Sequence, residues 1–462
     1  MAFVARFVSA LALVPLLVAP SSAQASPLPA PPPVPRGALR YEPPIRIIID
    51  CHADPFFGGD KPAVYAQWIA NANWLIDVLD QHGAYVSWGE VGEFGEFVVE
   101  GGTGGPGAAL LRRAYQSGGA IFPHSHSEYR AGVHQWPDVP QPSDPAWVQR
   151  NWDDVIGWTE QAILVALTPL PEPLGEIRCV RGAHLPGDEY QFHALMASTA
   201  IPYREAGPDE SFYAYFEHYV YHPYRPSPAN VLDESLSTPF VQLTHGPVIG
   251  LAGIHNGVFQ DYTLEAAKAQ FLLEFVNWRH RWRTGAPDHE WCFGGGGHPS
   301  NYNPGDAPRL ALPPLLTWLD TWFVGQAMPD GTRIAEYSSE RRVGEAFLAW
   351  EAAHPGESSF RYPATAQDYD WYPWLRPAHE ELHGSRHVAD LAAPSGVRAF
   401  RLQSASLATI VLAWSDAGWT ALDLSAIFGA GMVTRRGLES GSSALAASSA
   451  VPIGGEPVVV RL

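Results

Sequence analysis

The sequence predicts an α/β protein: a (β/α) barrel, incomplete and of about seven strands, followed by a small C-terminal β-sandwich. Three observations predict it. Short apolar runs alternate with helical patterns between residues 45 and 282, as the strands and crossovers of a parallel sheet do. Several of those runs break at their carboxyl ends into ionisable residues, where α/β folds keep their sites. Beyond about residue 385 the helical periods give way to VRAFRLQ, LATIVLAW, TALDLSAI, GMVTRRG and EPVVVRL, β-rich runs separated by Gly, Ser and Asp turns, a sandwich pattern.

The first strand lies in RIIIDCHADPFF, residues 46–57. Three consecutive isoleucines suit a strand buried on both faces. Asp50, His52 and Asp54 then fall on alternate positions, so an extended backbone points them the same way. Residues 63–81 have apolar positions at helical spacing, and Gly83 is placed to close that helix. AYVSW (84–88) is a second strand, GGTGGPG (101–107) a flexible loop and 108–116 a short helix. AIFP (120–123) is a third strand, opening into HSHSE. A helix over 151–167 follows. RCVRG (178–182), IPYRE (201–205) and FVQLTHGPVIGL (240–251) are further strands, with a helix over 188–198 between the first two. GIHNG makes a strand-end loop before a long helix over 263–281. Residues 315–322, preceded by Pro313-Pro314, and 339–354 are also helical.

The chain of 462 residues is long enough for two domains. We expect a barrel domain with a helical extension over 41–384 and a sandwich accessory domain over 385–462. Residues 1–25 have the charged start, short apolar run and A-x-A site of a cleaved signal peptide, and 26–40 form a proline-rich linker. The expected protein is secreted or periplasmic, with no membrane span. A net charge of −19 argues against nucleic acid as partner, because like charges repel. Cys51, Cys179 and Cys292 lack metal-finger spacing; one disulfide and buried unpaired thiols both remain open.

Four groups carry candidate chemistry. Asp50, His52 and Asp54 end the first strand. His124, His126 and Glu128 follow the third; extended backbone puts all three on one face, and a helical turn puts His124 and Glu128 together. Either geometry offers ligands to a divalent cation. Arg181 closes the fourth strand, where a guanidinium can hold a carboxylate ionised by bidentate pairing. His255, in a loop before a helix, is a candidate general acid. His298 after four glycines has no GK[ST] ending, which argues against a phosphate loop, and His245 and His280 read as structural. The loop YAYFEHYVYHPYRP suits the lining of a sugar groove and equally a packed lid. No G-x-S-x-G elbow is present.

In this order, the acidic strand end, AYVSWGEVGEF, GGAIFPHSHSE, RCVRG and GIHNG resemble the polysaccharide deacetylase superfamily (carbohydrate esterase family 4 and its divergent relatives) over residues 45–282. The resemblance implies a secreted hydrolase that removes N- or O-acetyl groups from a polysaccharide with a divalent metal, zinc above all. It implies Asp50 as base, Asp54 and His124 as metal ligands with Glu128 or His126 completing the set, Arg181 orienting the base and His255 as acid. The sequence departs from the family pattern in having no adjacent Asp pair and in placing Glu128 where a second His belongs. HADPF is also similar to the HxDP segment of retaining α-mannosidases, in which His and Asp both bind zinc. That similarity implies a glycosidase on the same scaffold, with Asp50, Glu90 and Glu93 as its nearby carboxylates. A non-catalytic exopolysaccharide-binding protein is the third reading.

Overall fold

The structure is a computed structural model that describes residues 43–54, 56, 59–125, 127–141, 144–168, 179–182, 203–205, 222–228, 234–243, 253–255, 258–260, 263–284, 289–357 and 376–462. At 179–182, 203–205, 253–255 and 258–260 the description is of backbone alone. The expected signal peptide and linker, the helix over 188–198 and most of the aromatic loop before Pro223 therefore lie outside the described residues.

A parallel sheet forms the first part. It contains β1 (Ile45–His52), β2 (Val86–Glu90), β3 (Ala120–Ser125), β4 (Cys179–Gly182), β5 (Tyr203–Glu205) and β6 (Val241–Leu243), hydrogen-bonded in that order. Helices α1 (Lys61–His82), α2 (Gly92–Gly101), α3 (Pro106–Gln116) and α4 (Pro145–Leu167) lie between its early strands. Asp60 caps α1 by accepting from Ala63 N, and Gly83 ends it at φ 65°, the left-handed conformation that glycine adopts without a Cβ penalty. Residues 253–255 and 258–260 form β7 and β8, an antiparallel pair separate from the parallel sheet. His255 thus belongs to a hairpin and not, as the sequence led us to expect, to a strand end of the main sheet.

Helix α5 (Leu264–Thr284) leads to β9 (Trp291–Gly297), which pairs along the whole outer edge of β1, Ile45 level with Trp291 and Cys51 with Gly297. The four glycines of β9 disguise it as a loop in the sequence. Packing requires one of them: a Cβ on Gly294 would lie 2.0 Å from the Ile48 carbonyl oxygen. Helix α6 (Ala307–Trp322) starts earlier than expected, with Pro308 at its first turn and Pro313 and Pro314 inside it. Then β10 (Ala335–Ser338) takes the lower half of the β1 edge whose upper half belongs to β2. Between β6 and the foot of β9, residues 222–226 span the sheet's gap. Tyr224 exchanges backbone hydrogen bonds with Gln242 at 3.1 and 2.7 Å, and His222 Nδ1 donates to the Glu290 carbonyl at 2.9 Å. Burial, with Arg281 nearby, pushes His222 down to about 3, so its ring is a neutral donor there. The result is a partial barrel.

Strand alternation divides the core. Ile45, Ile47, Ile49 and Cys51 face the outer helices. Ile48 joins Ala120, Phe122, Val241, Leu243 and Cys292 on the inside, covered by Val343, Phe347 and Trp350 of α7 (Glu340–Ala353). Those three residues share one helical face by their spacing. Cys51 and Cys292 are buried free thiols; they sit at opposite ends of the β1–β9 ladder and cannot meet.

After α8 (Arg376–Leu382) the chain is antiparallel. Strands β11 (Arg386–Asp390), β12 (Val397–Gln403), β13 (Thr409–Ser415), β15 (Met432–Gly437), β16 (Ser443–Ala447) and β18 (Val458–Arg461) form one sheet; β14 (Thr420–Leu422) and β17 (Val451–Ile453) pair separately, and a short α9 (Ser425–Phe428) follows β14. Val397, Ala399, Val411 and Ala413 meet Leu422 and Ile453 in an apolar layer between the two. The alternate residues Phe400, Leu402, Leu412 and Trp414 face the other way and join the main core, the Trp414 ring packing at a tilt against Phe275 of α5 with centroids 5.1 Å apart. No helix among the described residues is long and apolar enough to cross a membrane.

Candidate metal centre

Five side chains, Asp50, His52, Asp54, His124 and His298, converge where β1, β3 and β9 end. Asp50 and His52 lie on the inner face of β1, 0% and 2% exposed. Ala53 N donates to the Gly89 carbonyl at 2.8 Å. The chain beyond Asp54 is held from outside: Phe56 N donates to Glu93 at 3.3 Å, and Lys61 Nζ pairs with the same carboxylate at 2.6 Å. Phe56 itself packs against Trp68, ring centroids 4.7 Å apart.

His124, at the end of β3, is fully buried and brings Nε2 within 3.8 Å of Asp54 Oδ1. His298 arrives from the opposite edge of β1, its Nε2 3.2 Å from the same oxygen. Its backbone N–H donates to the Asn301 side chain at 2.8 Å, which sets its direction out of β9. The His52 ring lies between the other two, 4.4 Å from His124 and 4.3 Å from His298 by centroid. His52 Nδ1 donates to Asp50 Oδ2 at 3.3 Å, an arrangement that fixes the ring and leaves Nε2 as the ligand nitrogen.

Glycine at position 89 makes this convergence possible. A Cβ there would stand 2.9 Å from His52 Cβ, 3.4 Å from His124 Cβ and 2.7 Å from the Phe122 ring. Gly89 therefore leaves the volume that the two imidazoles occupy.

The donor chemistry fits a divalent cation. One ligand atom each from His52, Asp54 and His124 falls within 4.8 Å of the others. Donors around a tetrahedral ion with bonds near 2.1 Å stand about 3.4 Å apart, close to the 3.2 and 3.8 Å found at Asp54. Imidazole nitrogen with carboxylate oxygen is the mixture that borderline cations such as zinc prefer.

The loop after β3 is clamped by helix α4. Asn151, fully buried, accepts from Ser125 Oγ at 2.9 Å and donates through Nδ2 to the Glu128 carbonyl. Between those two anchors Ser127 takes φ 73°, a left-handed conformation unusual for a residue with a Cβ. The Glu128 side chain is buried but lies outside the compact donor group. His126 lies outside the described residues. Arg181 is level with His124 in the β3–β4 register, and the backbone alone is described at Arg181 and at His255.

Sequence reasoning passed over His298, which it set aside with the glycine run. The usable signal was local: an apolar WCF start of a strand whose glycine run ends at a histidine. The two other carboxylates near the first strand do not join the centre. Glu90 alternates with Gly89 and turns outward, its carboxylate under Gly95 of α2; burial pushes it well above the usual carboxylate range, opposed by the Trp88 indole. Glu93 is committed to Lys61 and Phe56.

No protein-family model matches the sequence, and no curated protein matches it. Among solved structures the chain is similar to a candidate polysaccharide deacetylase from Mycobacterium smegmatis (12% identity, TM-score 0.40, covering 73% of this chain and 100% of that one). It is also similar to a candidate glycoside hydrolase/deacetylase from Parabacteroides distasonis (9%, 0.44, 91% and 90%). A third likeness is to a 4-alpha-glucanotransferase from Thermococcus litoralis (13%, 0.36, 66% and 41%). These likenesses are loose, and the functional reading rests on the residues themselves.

Proposed function

We propose that this protein is an exported, metal-dependent carbohydrate deacetylase, a hydrolase of N- or O-acetyl groups on a polysaccharide. One observation carries the reading: two imidazoles and a carboxylate meet within 4.8 Å at the ends of β1 and β3, with a third imidazole beside them from β9. His52, Asp54, His124 and His298 would hold a divalent cation, zinc by the donor set. Such a cation, when bound, polarises an acyl carbonyl and lowers the pKa of water from 15.7 toward about 7. Asp50, buried and next to His52, holds that ring in place and is the group we assign to take up the proton of the attacking water. His255 is assigned to protonate the leaving group, and Arg181 to keep Asp50 ionised.

The test is metal content together with acetate release. The purified protein should carry close to one equivalent of divalent metal and free acetate from an acetylated glycan; His124→Ala should lose both while keeping its circular dichroism spectrum. Wild-type metal content in that variant rejects the assignment. The pairing of His52 with Asp54 in one donor group favours a second reading, the mannosidase-like glycosidase. Two inner carboxyl groups are needed for that chemistry, and of the three named neighbours Glu90 faces outward and Glu93 is ion-paired. New reducing ends without acetate would establish it.

A further inference from the structure

Away from the metal centre, the C-terminal sheets present one aromatic ring in an unusual setting. Trp419, just before β14, is 45% exposed. Its indole lies flat on Gly454, the residue opposite it at the end of the β14–β17 ladder. A Cβ on Gly454 would stand 3.0 Å from each of three indole carbons, Cδ2, Cε2 and Cε3. Equal distances to three fused-ring atoms put the glycine under one face of the ring. Arg435, 4% exposed, has its guanidinium 5.8 Å from the ring centroid. With Gly454 under one face, the exposure is left to the other face and the ring edge.

The support beneath is rigid. Ser415 N donates to the Gly454 carbonyl at 2.8 Å. Arg279 of α5, 2% exposed, donates to the Gly455 carbonyl and at 2.7 Å to Asp416 Oδ1. Arg435 Nε donates to the Pro452 carbonyl at 2.8 Å. Both turns that flank the ring are therefore anchored by buried guanidinium groups, and little order remains to be lost when a ligand settles on it.

We infer that Trp419 is a stacking platform for a neutral pyranose ring, a polysaccharide-binding site distinct from the metal centre. A single indole face beside the glycine turn matches the apolar C–H face of one sugar. It is far below the roughly 800 Å² per partner that a stable protein interface buries. The net charge of −19 disfavours polyanionic chains. The ligand class rests on the carbohydrate reading of the metal centre; the platform geometry does not.

Affinity electrophoresis of the full chain through gels containing xylan, hydroxyethylcellulose, galactomannan or partially acetylated chitosan tests it. The wild type should be retarded by at least one of these. Trp419→Ala should weaken that retardation about tenfold, and Gly454→Val, which displaces the ring, should do the same. Trp419→Tyr should keep most of it, and Leu445→Ala, an exposed residue of β16, all of it. Thermal unfolding of each variant controls for folding. Retardation by no polymer, or equal retardation of Trp419→Ala, overturns the platform even if acetate release is intact. Trp419-dependent self-association in sedimentation also overturns it. Trp419-dependent retardation in a protein that releases no acetate keeps the platform and removes the deacetylase reading.

Discussion

His298 Nε2 and His124 Nε2 approach the same oxygen, Asp54 Oδ1, at 3.2 and 3.8 Å. The two histidines are far apart in sequence: His124 ends β3, beyond β2 on one side of β1, and His298 follows β9, which pairs with β1 on the other. Their meeting makes His298 part of the centre. Replacing it with alanine should weaken divalent-cation affinity about 10–100-fold, measured by chelator competition. Unchanged affinity would place His298 outside the ligand set.

Gly89 should tolerate no side chain. Gly89→Ala puts a methyl group against the Phe122 ring and the His52 Cβ, both closer than 3.0 Å. Overpacking of this kind costs about 1–3 kcal/mol. We expect a lowered unfolding midpoint and a metal affinity reduced more than stability alone accounts for. A variant that binds metal normally would show that the imidazoles do not need this clearance.

Asn151→Ala removes both anchors of the loop that follows His124. Ser125 Oγ and the Glu128 carbonyl would be left buried without their partner, a loss of about 1–3 kcal/mol, and the Ser127 turn would relax. Slower acetate release with an unchanged unfolding midpoint would contradict this account, because the clamp would then bear no load in the folded state.

The buried acid of α5 supplies a pH test. Glu274 is fully buried, and among the described residues its carboxyl has no hydrogen-bond partner. Burial raises it well above the ordinary carboxylate value, so the folded protein keeps the proton while the unfolded chain, ionising near 4.3, loses it. Stability is full below the unfolded value. It then falls as pH rises toward the folded value, by about 1.4 kcal/mol per pH unit for one group. Glu274→Met should therefore raise the unfolding midpoint at pH 8, with the gain shrinking toward pH 4. A gain that does not vary across that range would refute the assignment.

Much of this arrangement was legible in the chain. Three isoleucines followed by Asp50, His52 and Asp54 announced a buried strand ending in a polar site, and HSHSE announced its partner. Gly83 marked the end of α1, and alternation in VRAFRLQ and LATIVLAW marked the C-terminal sheet. The short helix α2 and strand β9 were not legible, because glycines interrupt the periodicity by which helices and strands are recognised.

Sequence alone determined which strands end in ionisable residues, since a two-residue period and a change from apolar to ionisable residues are local properties. Tertiary structure decided which side chains meet. Glycines at 89 and 294 matter because other strands press against them, and His298 becomes a neighbour of Asp54 only because β9 lies along β1. Glu90 leaves the site through a one-residue alternation whose direction is set by which face of β2 meets α2. Such distances depend on strand order and register, and no window of neighbouring residues contains them.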